Sequence, residues 1–415
     1  MIVSVEPTKL CGRVTAPPSK SFAHRYLIAA FLSGEETIVE NVGASEDVSA
    51  TIRALTALGG EFETDGRNAI FKKRNDLDGR NAVVDCSESG STLRFLLPVA
   101  AALGIRAEFV GSDGLMKRPL EGLIRPLNDN GADIVGTKIN GKLKNGKYIV
   151  DGSVSSQYIT GLLFALTLLD GDSEIIVQNG LSSGDYVEMT LGAMKEFGIE
   201  VRKTDKGFAI RGERFHSPKK VVIEGDYSGA AFMLAAGAIG GDVLVNGLKN
   251  DSLQGDGKIV GILRDYGAEV TVGENFVRVA AKDRRPLTVD IDDIPDLAQI
   301  IAVMAAFSSG RSTLKNVGRL KIKESDRVKA IEDMLSVAKV RTERSGNDLI
   351  VYGENRPIGG LFSGGNDHRT VMSSTILASF SSGASTVFGA EAVKKSYVGF
   401  FDDIKSIGGK IDVHL

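Results

Sequence analysis

A junction between a helix-like segment and a strand-like segment recurs along this chain at intervals of 67 to 72 residues. At each junction an apolar helical pattern ends at a glycine or alanine and a β-prone run follows, as in residues 54–63 and 262–271. Glycine suits this position because the residue that ends a helix commonly takes a left-handed backbone conformation. The six junction residues are Gly59, Gly131, Gly198, Gly267, Ala338 and Gly408.

A second series of glycines has the same period and supports the repeat independently. Each of them follows an apolar helical segment and precedes a β-rich run, and the intervals are 67 to 73 residues. Because this period exceeds that of common solenoid units, each repeat is predicted to be a small module of strands and helices. We therefore predict an α/β fold of six similar modules. The second series consists of Gly34, Gly104, Gly171, Gly240, Gly310 and Gly383.

Six modules in 415 residues predict two domains of three modules each. The first predicted domain is 14–226, and the second combines 1–13 with 227–415, with a hinge near residues 224–226. The N-terminal strand precedes the first complete module, so we expect it to pair with the C-terminal half of the chain. Two chain crossings would then join the domains, and the cleft between them is the expected site.

Composition argues against several classes of function. Fifty Lys and Arg against 53 Asp and Glu give a net charge of −3, whereas nucleic-acid-binding proteins normally carry a basic excess. Cys11 and Cys86 are too few for a disulfide framework or a zinc ribbon, and we expect no metal or cofactor. The apolar run 158–169 is too short to span a bilayer, and no targeting segment is evident. We expect a cytoplasmic monomer that binds neither nucleic acid nor membrane.

The first helix of each module is predicted to begin at a segment rich in Ser, Thr, Asp, Asn or Gly. N-capping explains most of the Ser and Asp residues, but not the cations, because a positive side chain opposes the helix dipole there. Cations beside free helix amides are typical of anion binding, so we predict a pocket for substrates with several phosphate or carboxylate groups. The cations at these helix starts are Lys20, Arg25, Arg94 and Arg369, and those near the second helices are Lys117, Arg118, Lys323, Arg327, Lys394 and Lys395.

Two other short patterns are predicted to be structural. Residues 180–184 fit the GxSxG pattern of a hydrolase nucleophile, but the repeat places them in a loop before a second helix. Residues 255–258 are glycine-rich but lack the spacing of a phosphate-binding loop, so we predict a surface loop.

Eight motifs between residues 18 and 397 occur in an order that resembles the 5-enolpyruvylshikimate-3-phosphate synthase family. The motifs are PSKSFAHR, SGSTLR, MKRPL, SVSSQY, IPD, IKESDR, NDHR and KKSY. The resemblance implies two domains, each of three βαβαββ units in an inverse α/β barrel. It also implies a shikimate-pathway enzyme that transfers the enolpyruvyl group of phosphoenolpyruvate to the 5-hydroxyl of shikimate 3-phosphate. The reaction would pass through a tetrahedral intermediate and release phosphate. Separately from the resemblance, like-charge repulsion among the predicted cleft cations predicts domains that are open without ligand and close when anions bind; these cations are Lys20, Arg118, Arg327, Arg369 and Lys395.

The resemblance also assigns residues to the two substrates. Those implied to bind shikimate 3-phosphate are Lys20, Ser21, Arg25, Ser155, Ser156, Gln157, Ser183, Asp296 and Lys323, with Tyr186 nearby. Those implied to bind phosphoenolpyruvate are Lys20, Gly90, Arg118, Gln157, Arg327, Arg369 and Lys395.

Three residues are implied to move protons. In this assignment Asp296 acts on the 5-hydroxyl, Glu324 acts on the methyl group, and Lys20 acts as a general acid near the leaving phosphate. Two positions depart from the family pattern, because Glu88 and Arg319 stand where several members have Asn.

The alternative function is that of the sister transferase acting on UDP-N-acetylglucosamine, which shares the six-module fold. That enzyme typically carries a reactive Cys or Asp in a loop of the first domain. The corresponding loop, residues 111–120, has no Cys but contains Asp113, so the alternative stays open.

Overall fold

The structure is a computed structural model that describes residues 1–75, 77, 80–323, 325–353 and 356–414. Within these ranges, none of the helices combines the length and the apolar character needed to cross a membrane. The chain forms two compact units: a continuous unit, Lys20–Ile223, and a split unit, Met1–Ser19 with Glu224–Leu415. The chain therefore passes between units after residues 19 and 223, whereas the sequence analysis placed these changes after residues 13 and 226.

The apolar segments with helical periodicity form α-helices. In the described residues the α-helices are α1 Lys20–Ser33, α2 Glu46–Ala57, α3 Gly90–Leu103, α4 Asp113–Met116, α5 Glu121–Asn128, α6 Ser156–Thr167, α7 Gly184–Glu196, α8 Tyr227–Gly240, α9 Ile259–Tyr266, α10 Ala298–Ala306, α11 Arg327–Val337, α12 His368–Phe380 and α13 Phe400–Ser406. Short 3-10 helices occupy Gly255–Lys258, Val317–Ile322 and Ala390–Lys395.

Strands are short and follow the β-prone runs. They are β1 Ile2–Glu6, β2 Cys11–Thr15, β3 Thr37–Glu40, β4 Gly60–Thr64, β5 Ala69–Arg74, β6 Asn81–Asp85, β7 Arg106–Val110, β8 Ile134–Val135, β9 Lys138–Ile139, β10 Lys147–Asp151, β11 Ser173–Gln178, β12 Arg202–Thr204, β13 Gly207–Ile210, β14 Lys220–Val222, β15 Asp242–Asn246, β16 Glu269–Val272, β17 Phe276–Ala280, β18 Thr288–Asp290, β19 Arg311–Lys315, β20 Arg341–Ser345, β21 Asp348–Tyr352, β22 Leu361–Ser363, β23 Ser385–Phe388 and β24 Lys410–His414.

The strands of the described ranges form six four-stranded sheets with one common pattern. Each sheet has a parallel pair at one edge and continues with two antiparallel pairings. The continuous unit contains β14-β3-β5-β4, β6-β7-β9-β8 and β10-β11-β13-β12, and the split unit contains β16-β17-β15-β2, β18-β19-β21-β20 and β22-β23-β1-β24. The predicted six-module organisation, with three modules in each half, is confirmed.

The N-terminal strands complete sheets of the split unit. β1 lies between β23 and β24 and is antiparallel to both, so that Val3 faces Val387 and Val413. β2 pairs in parallel with β15. The expected pairing of the N-terminal strand with the C-terminal half of the chain is therefore confirmed.

The most buried helices form the interior of each unit. α8 is buried over Tyr227–Ile239, which is 13 of its 14 residues, and a helix that is apolar on all sides must be enclosed by other elements. α10 and α12 are enclosed in the same way in the split unit, as are α3 and α6 in the continuous unit. Each unit therefore has helices inside and sheets outside, in agreement with the predicted inverse α/β arrangement.

Two details of the sequence analysis need correction. In the fifth module the left-handed residue is Lys339, with φ 60°, whereas Ala338 has φ −76°. The junction residue of this module is therefore Lys339 and not Ala338, because the left-handed backbone that follows α11 falls at Lys339. In addition, residues 255–258 form a 3-10 helix rather than a surface loop, and the side chain of Asp256 is buried.

Candidate active site

Lys20 is the first residue of α1 and is held by an acidic partner. Its Nζ lies 2.7 Å from Oδ2 of Asp47, and both side chains are largely buried. Asp47 lies in the first turn of α2, where a carboxylate is favoured by the helix dipole. Asp47 was not predicted, because only cations were selected near the second helices, although the acidic start of α2 is visible in the sequence.

Arg25 lies on α1 and ties this helix to α7. Its guanidinium donates to Thr190 Oγ1 at 2.9 Å and to the backbone oxygens of Ser21 and Tyr186, both at 2.7 Å. It also lies 5.3 Å from the centre of the Phe95 ring. Burial lowers the pKa of Arg25 to about 10, so the side chain stays charged at neutral pH.

Two guanidinium groups lie over the start of α3. A Cβ added to Gly90, the first residue of that helix, would lie 2.5 Å from Nη1 of Arg118 and 3.0 Å from Nη1 of Arg94. Ser89 caps the helix by accepting a hydrogen bond from the Thr92 N–H. Two arginines beside the amides of a helix N-terminus form a suitable site for a carboxylate or a phosphate.

Gln157 connects the start of α6 to the start of α3. Its Oε1 accepts a hydrogen bond from Arg94 Nη1 at 2.8 Å, and its Nε2 donates to Ser91 Oγ at 3.0 Å. Ser155 caps α6 by accepting from the Gln157 N–H. The predicted residues at the start of α6 therefore lie beside the α3 site, next to Arg94, which the resemblance had not assigned to either substrate.

The other predicted residues of the continuous unit also lie at helix starts. Ser21 is the second residue of α1, and Ser156 is the first residue of α6. Ser183 directly precedes α7 and has a left-handed backbone with φ 56°. The structure thus places the predicted residues of this unit at the starts of α1, α3, α6 and α7 and before α5.

A buried chain of hydrogen bonds joins α1, α2 and α3. His24 Nδ1 lies 2.7 Å from Thr51 Oγ1, which lies 2.6 Å from Thr92 Oγ1. The Thr92 hydroxyl donates to Ser89 Oγ at 2.7 Å. Burial, together with the nearby charge of Lys20, holds the pKa of His24 well below its usual value. His24 is therefore an uncharged link between the helices that carry the site.

In the split unit, Asp296 is held by two arginines. Its Oδ1 accepts a hydrogen bond from Arg327 Nη1 at 2.8 Å, and its Oδ2 accepts one from Arg369 Nη2 at 2.7 Å. Arg327 is the first residue of α11 and Arg369 the second residue of α12, and both side chains are buried. Two helix starts therefore bring their cations to one carboxylate.

A second carboxylate, Asp367, supports the same pair of arginines. It is fully buried, caps α12 through the Arg369 N–H, and accepts from Arg327 Nε at 3.0 Å and Ser325 Oγ at 3.0 Å. Asp367 belongs to the motif NDHR, of which only Arg369 was predicted to bind substrate. The signal for Asp367 was its place as the polar residue directly before a helix.

The remaining predicted residues of the split unit lie near these groups in sequence. Lys395 ends a 3-10 helix, and its Nζ donates to the backbone oxygen of Asn366 at 2.6 Å. Lys323 directly follows the 3-10 helix Val317–Ile322. Glu324 lies outside the described residues, so its predicted role stays a prediction.

Arg319, one of the two departures from the family pattern, bonds within the split unit. Its Nη1 lies 3.1 Å from Oδ1 and 3.3 Å from the backbone oxygen of Asp292.

The chain has the two-domain fold of solved enolpyruvyl transferases. It matches EPSP synthase from Acinetobacter baumannii with a TM-score of 0.81 at 22% identity, over 100% of both chains. It also matches the enolpyruvyl transferase NikO from Streptomyces tendae with a TM-score of 0.77 at 14% identity, over 99% of this chain and 98% of the other. Identities this low establish the fold alone.

Sequence similarity establishes the family. The EPSP synthase (3-phosphoshikimate 1-carboxyvinyltransferase) family profile matches residues 5–404. The chain is 41% identical to the 3-phosphoshikimate 1-carboxyvinyltransferase of Clostridium kluyveri and 37% identical to that of Clostridioides difficile, each over 99% of this chain and 98% of the relative. The chain belongs to the EPSP synthase family, and the resemblance stated from its motifs is confirmed.

Proposed function

We propose that this protein transfers the enolpyruvyl group of phosphoenolpyruvate to the 5-hydroxyl of shikimate 3-phosphate and releases inorganic phosphate. The observation that carries the proposal is 41% identity to a 3-phosphoshikimate 1-carboxyvinyltransferase over nearly the whole chain. The cation-rich helix starts support it, because both substrates are anions. We also propose that it acts as a cytoplasmic monomer, which cell fractionation and size-exclusion chromatography test.

The proposed substrate contacts follow the charges of the site. Phosphoenolpyruvate carries a carboxylate and a phosphate, and the planar fork of arginine matches both groups. We assign its binding to Arg118 at the start of α3, to the Arg327 and Arg369 pair, and to Lys395. Shikimate 3-phosphate is assigned mainly to the starts of α1 and α6.

The proposed reaction is an addition followed by an elimination. In the addition, the 5-hydroxyl oxygen bonds to C2 of phosphoenolpyruvate, its proton passes to Asp296, and C3 receives a proton from Glu324 to become a methyl group. In the elimination, Glu324 takes a proton back from this methyl group, the double bond re-forms and the bond from C2 to the phosphate oxygen breaks. Lys20 donates a proton to the leaving phosphate.

The ion pairs of Asp296 suggest how its role as a base depends on substrate. Both carboxylate oxygens accept hydrogen bonds from arginines, at 2.8 and 2.7 Å, and these bonds stabilise the ionised form. We infer that the anionic groups of phosphoenolpyruvate compete for Arg327 and Arg369. Asp296 then becomes a stronger base when this substrate is bound.

Phosphate release by the purified protein in EDTA tests the function. The protein is given phosphoenolpyruvate with either shikimate 3-phosphate or UDP-N-acetylglucosamine. We expect release with shikimate 3-phosphate alone. Release only with the nucleotide sugar would assign the alternative acceptor, and release with neither would contradict an enolpyruvyl transferase. Folded Lys20→Met protein should lose release with shikimate 3-phosphate, which separates catalysis from a scaffold role.

A further inference from the structure

The two segments at which the chain leaves and re-enters the split unit are bonded to each other. These crossing segments are residues 17–19 and 224–226, and they are joined by an antiparallel bridge and two backbone hydrogen bonds. In one of these bonds the Ser19 N–H donates to the Glu224 oxygen at 2.8 Å. Lys20, the predicted general acid, is the next residue along the chain. The position of the α1 start therefore depends on how this pair of segments is held.

The side-chain amide of Gln254 bonds to both crossing segments. Its Oε1 accepts from the Ser19 hydroxyl at 3.2 Å and from the Tyr227 N–H at 3.0 Å. Its Nε2 donates to Glu224 Oε1 at 2.7 Å and to the Gly225 oxygen at 2.8 Å. Gln254 is only 7% exposed, so its bonds are shielded from competing water.

Neighbouring groups fix Gln254 in this orientation. Ser252 Oγ accepts from the Gln254 backbone N–H at 3.1 Å and itself donates to Glu224 Oε1. The 3-10 helix that follows Gln254 is anchored in turn, because the buried Asp256 accepts a hydrogen bond from Ser228 at the start of α8. The segment around Gln254 is thus bonded on both sides to other parts of the split unit, to Glu224 through Ser252 and to α8 through Asp256.

We propose that Gln254 is a positioning residue for the transferase reaction, because it holds the two crossing segments and thereby the position of Lys20. The inference rests on the proposed function. Loss of the Gln254 hydrogen bonds would displace Lys20 without removing any group assigned to a substrate. Lys20 is proposed both to contact shikimate 3-phosphate and to protonate the leaving phosphate, and proton transfer depends more steeply on its position than a charge contact does. Catalysis should therefore suffer more than the binding of this substrate.

The variant Gln254→Glu tests the proposal with almost no change in volume. It removes the donors to Glu224 and Gly225 and places two carboxylates side by side. We expect kcat to fall about tenfold or more, because a buried hydrogen-bonding group is lost, while the Kd of shikimate 3-phosphate alone rises by about threefold at most. In the double variant Gln254→Glu with Glu224→Gln, the amide at position 224 can donate a hydrogen bond to the carboxylate at position 254. We expect kcat to recover at least about threefold.

The matched control is Asn130→Asp in the continuous unit. The Asn130 amide also donates to two backbone oxygens, those of Pro126 and Lys147, at 2.9 and 3.1 Å. We expect this variant to lower thermal stability but to leave kcat within about twofold of the wild type. Equal losses of kcat and of substrate affinity in Gln254→Glu, or no recovery in the double variant, would overturn the positioning role.

A milder variant covers the case in which Gln254→Glu does not fold. Ser19→Ala removes only the bond from the Ser19 hydroxyl to Gln254 and should lower kcat about threefold, with a smaller loss of affinity for shikimate 3-phosphate. Unchanged kcat in this variant would overturn the inference. The wild-type assay is performed first, because absence of its phosphate release would instead overturn the proposed function.

Discussion

Arg369 donates to Asp296 twice, from Nη2 to the carboxylate Oδ2 at 2.7 Å and from Nη1 to the backbone oxygen at 3.1 Å. The residue proposed as a base is therefore held by a residue proposed to bind substrate. We therefore expect the carboxylate of Asp296 to affect both the rate of the reaction and the affinity for phosphoenolpyruvate.

Replacing Asp296 by Asn should separate these two roles. We expect kcat to fall about 100-fold or more, because a general base is lost. The Kd of phosphoenolpyruvate in the presence of shikimate 3-phosphate should stay the same or decrease, because Arg327 and Arg369 no longer bond to a carboxylate. Steady-state kinetics and equilibrium binding measure the two effects. The control is Asp333→Asn, which alters an exposed pair with Lys329 and should leave both constants unchanged; clearly weaker phosphoenolpyruvate binding by Asp296→Asn would contradict the competition.

Replacing Gly90 by Ala should weaken phosphoenolpyruvate binding. The added Cβ would lie 2.5 Å from Arg118 Nη1, so the guanidinium must move. We expect KM for phosphoenolpyruvate to rise about tenfold, equivalent to about 1.4 kcal/mol, with little change in KM for shikimate 3-phosphate. Gly261→Ala on α9 is the control, because a Cβ there would meet no atom within 4 Å. Unchanged KM in Gly90→Ala would exclude this arginine position as a binding contact.

Replacing Asp47 by Asn should impair Lys20 without removing it. The lost ion pair, 2.7 Å long and largely buried, holds the Lys20 ammonium at the start of α1. We expect kcat to fall about tenfold, less than in Lys20→Met, since a misplaced acid is less damaging than an absent one. Glu188→Gln, which alters an exposed pair with Lys203, serves as the control. A larger loss in Asp47→Asn than in Lys20→Met would show that Asp47 does more than position the lysine.

His24 should make the folded state sensitive to mild acid. Its pKa is lowered by burial, so below about pH 6.5 the unfolded chain takes up a proton that the folded chain resists. This group's contribution to stability is complete above about pH 6.5 and is lost as the pH falls, by at most about 1.4 kcal/mol per pH unit. Urea unfolding at about pH 7.5 and about pH 5.5 measures it. The loss of unfolding free energy between these two pH values should be smaller in His24→Gln than in the wild type, and the exposed variant His216→Gln should lose as much as the wild type. Equal losses in all three proteins would contradict the prediction.

Lys339→Gly should stabilise the protein. Lys339 is exposed and holds φ at 60°, a left-handed conformation that is unfavourable for residues with a Cβ. Relief of this strain should exceed the extra entropy of glycine in the unfolded chain, so we expect a gain of about 1 kcal/mol in the free energy of unfolding. Thermal or urea unfolding measures the gain. Lys339→Ala, which keeps the strain, should give little or none, and an equal gain in both variants would assign the effect to the lysine side chain.

The repeat made much of the fold predictable from sequence. A helix that ends in a left-handed residue favours glycine, and an enclosed helix must be apolar on all sides, so both features recur with the period of the module. Part of the candidate site was predictable, because cations are unusual at helix starts, where a positive side chain opposes the helix dipole. Lys20, Arg327 and Arg369 could therefore be selected before any distance was known.

Partners between distant segments were not predictable, because nothing local marks them. Asp47 and Asp367 look like ordinary acidic residues at helix starts until Lys20 and Arg327 are found beside them. Gln254 lies in a segment with no functional pattern, and only the folding of the split unit brings its amide to the crossing segments.

By itself, the sequence determined the six modules, the α/β class, the family and the types of charge in the site, because local conformation and residue chemistry repeat within each module. The tertiary structure alone decided which carboxylate meets which cation and that Gln254 joins the two crossing segments. Hydrogen bonds and ion pairs depend on separations of about 3 Å between side chains far apart in the chain, and only packing sets those separations.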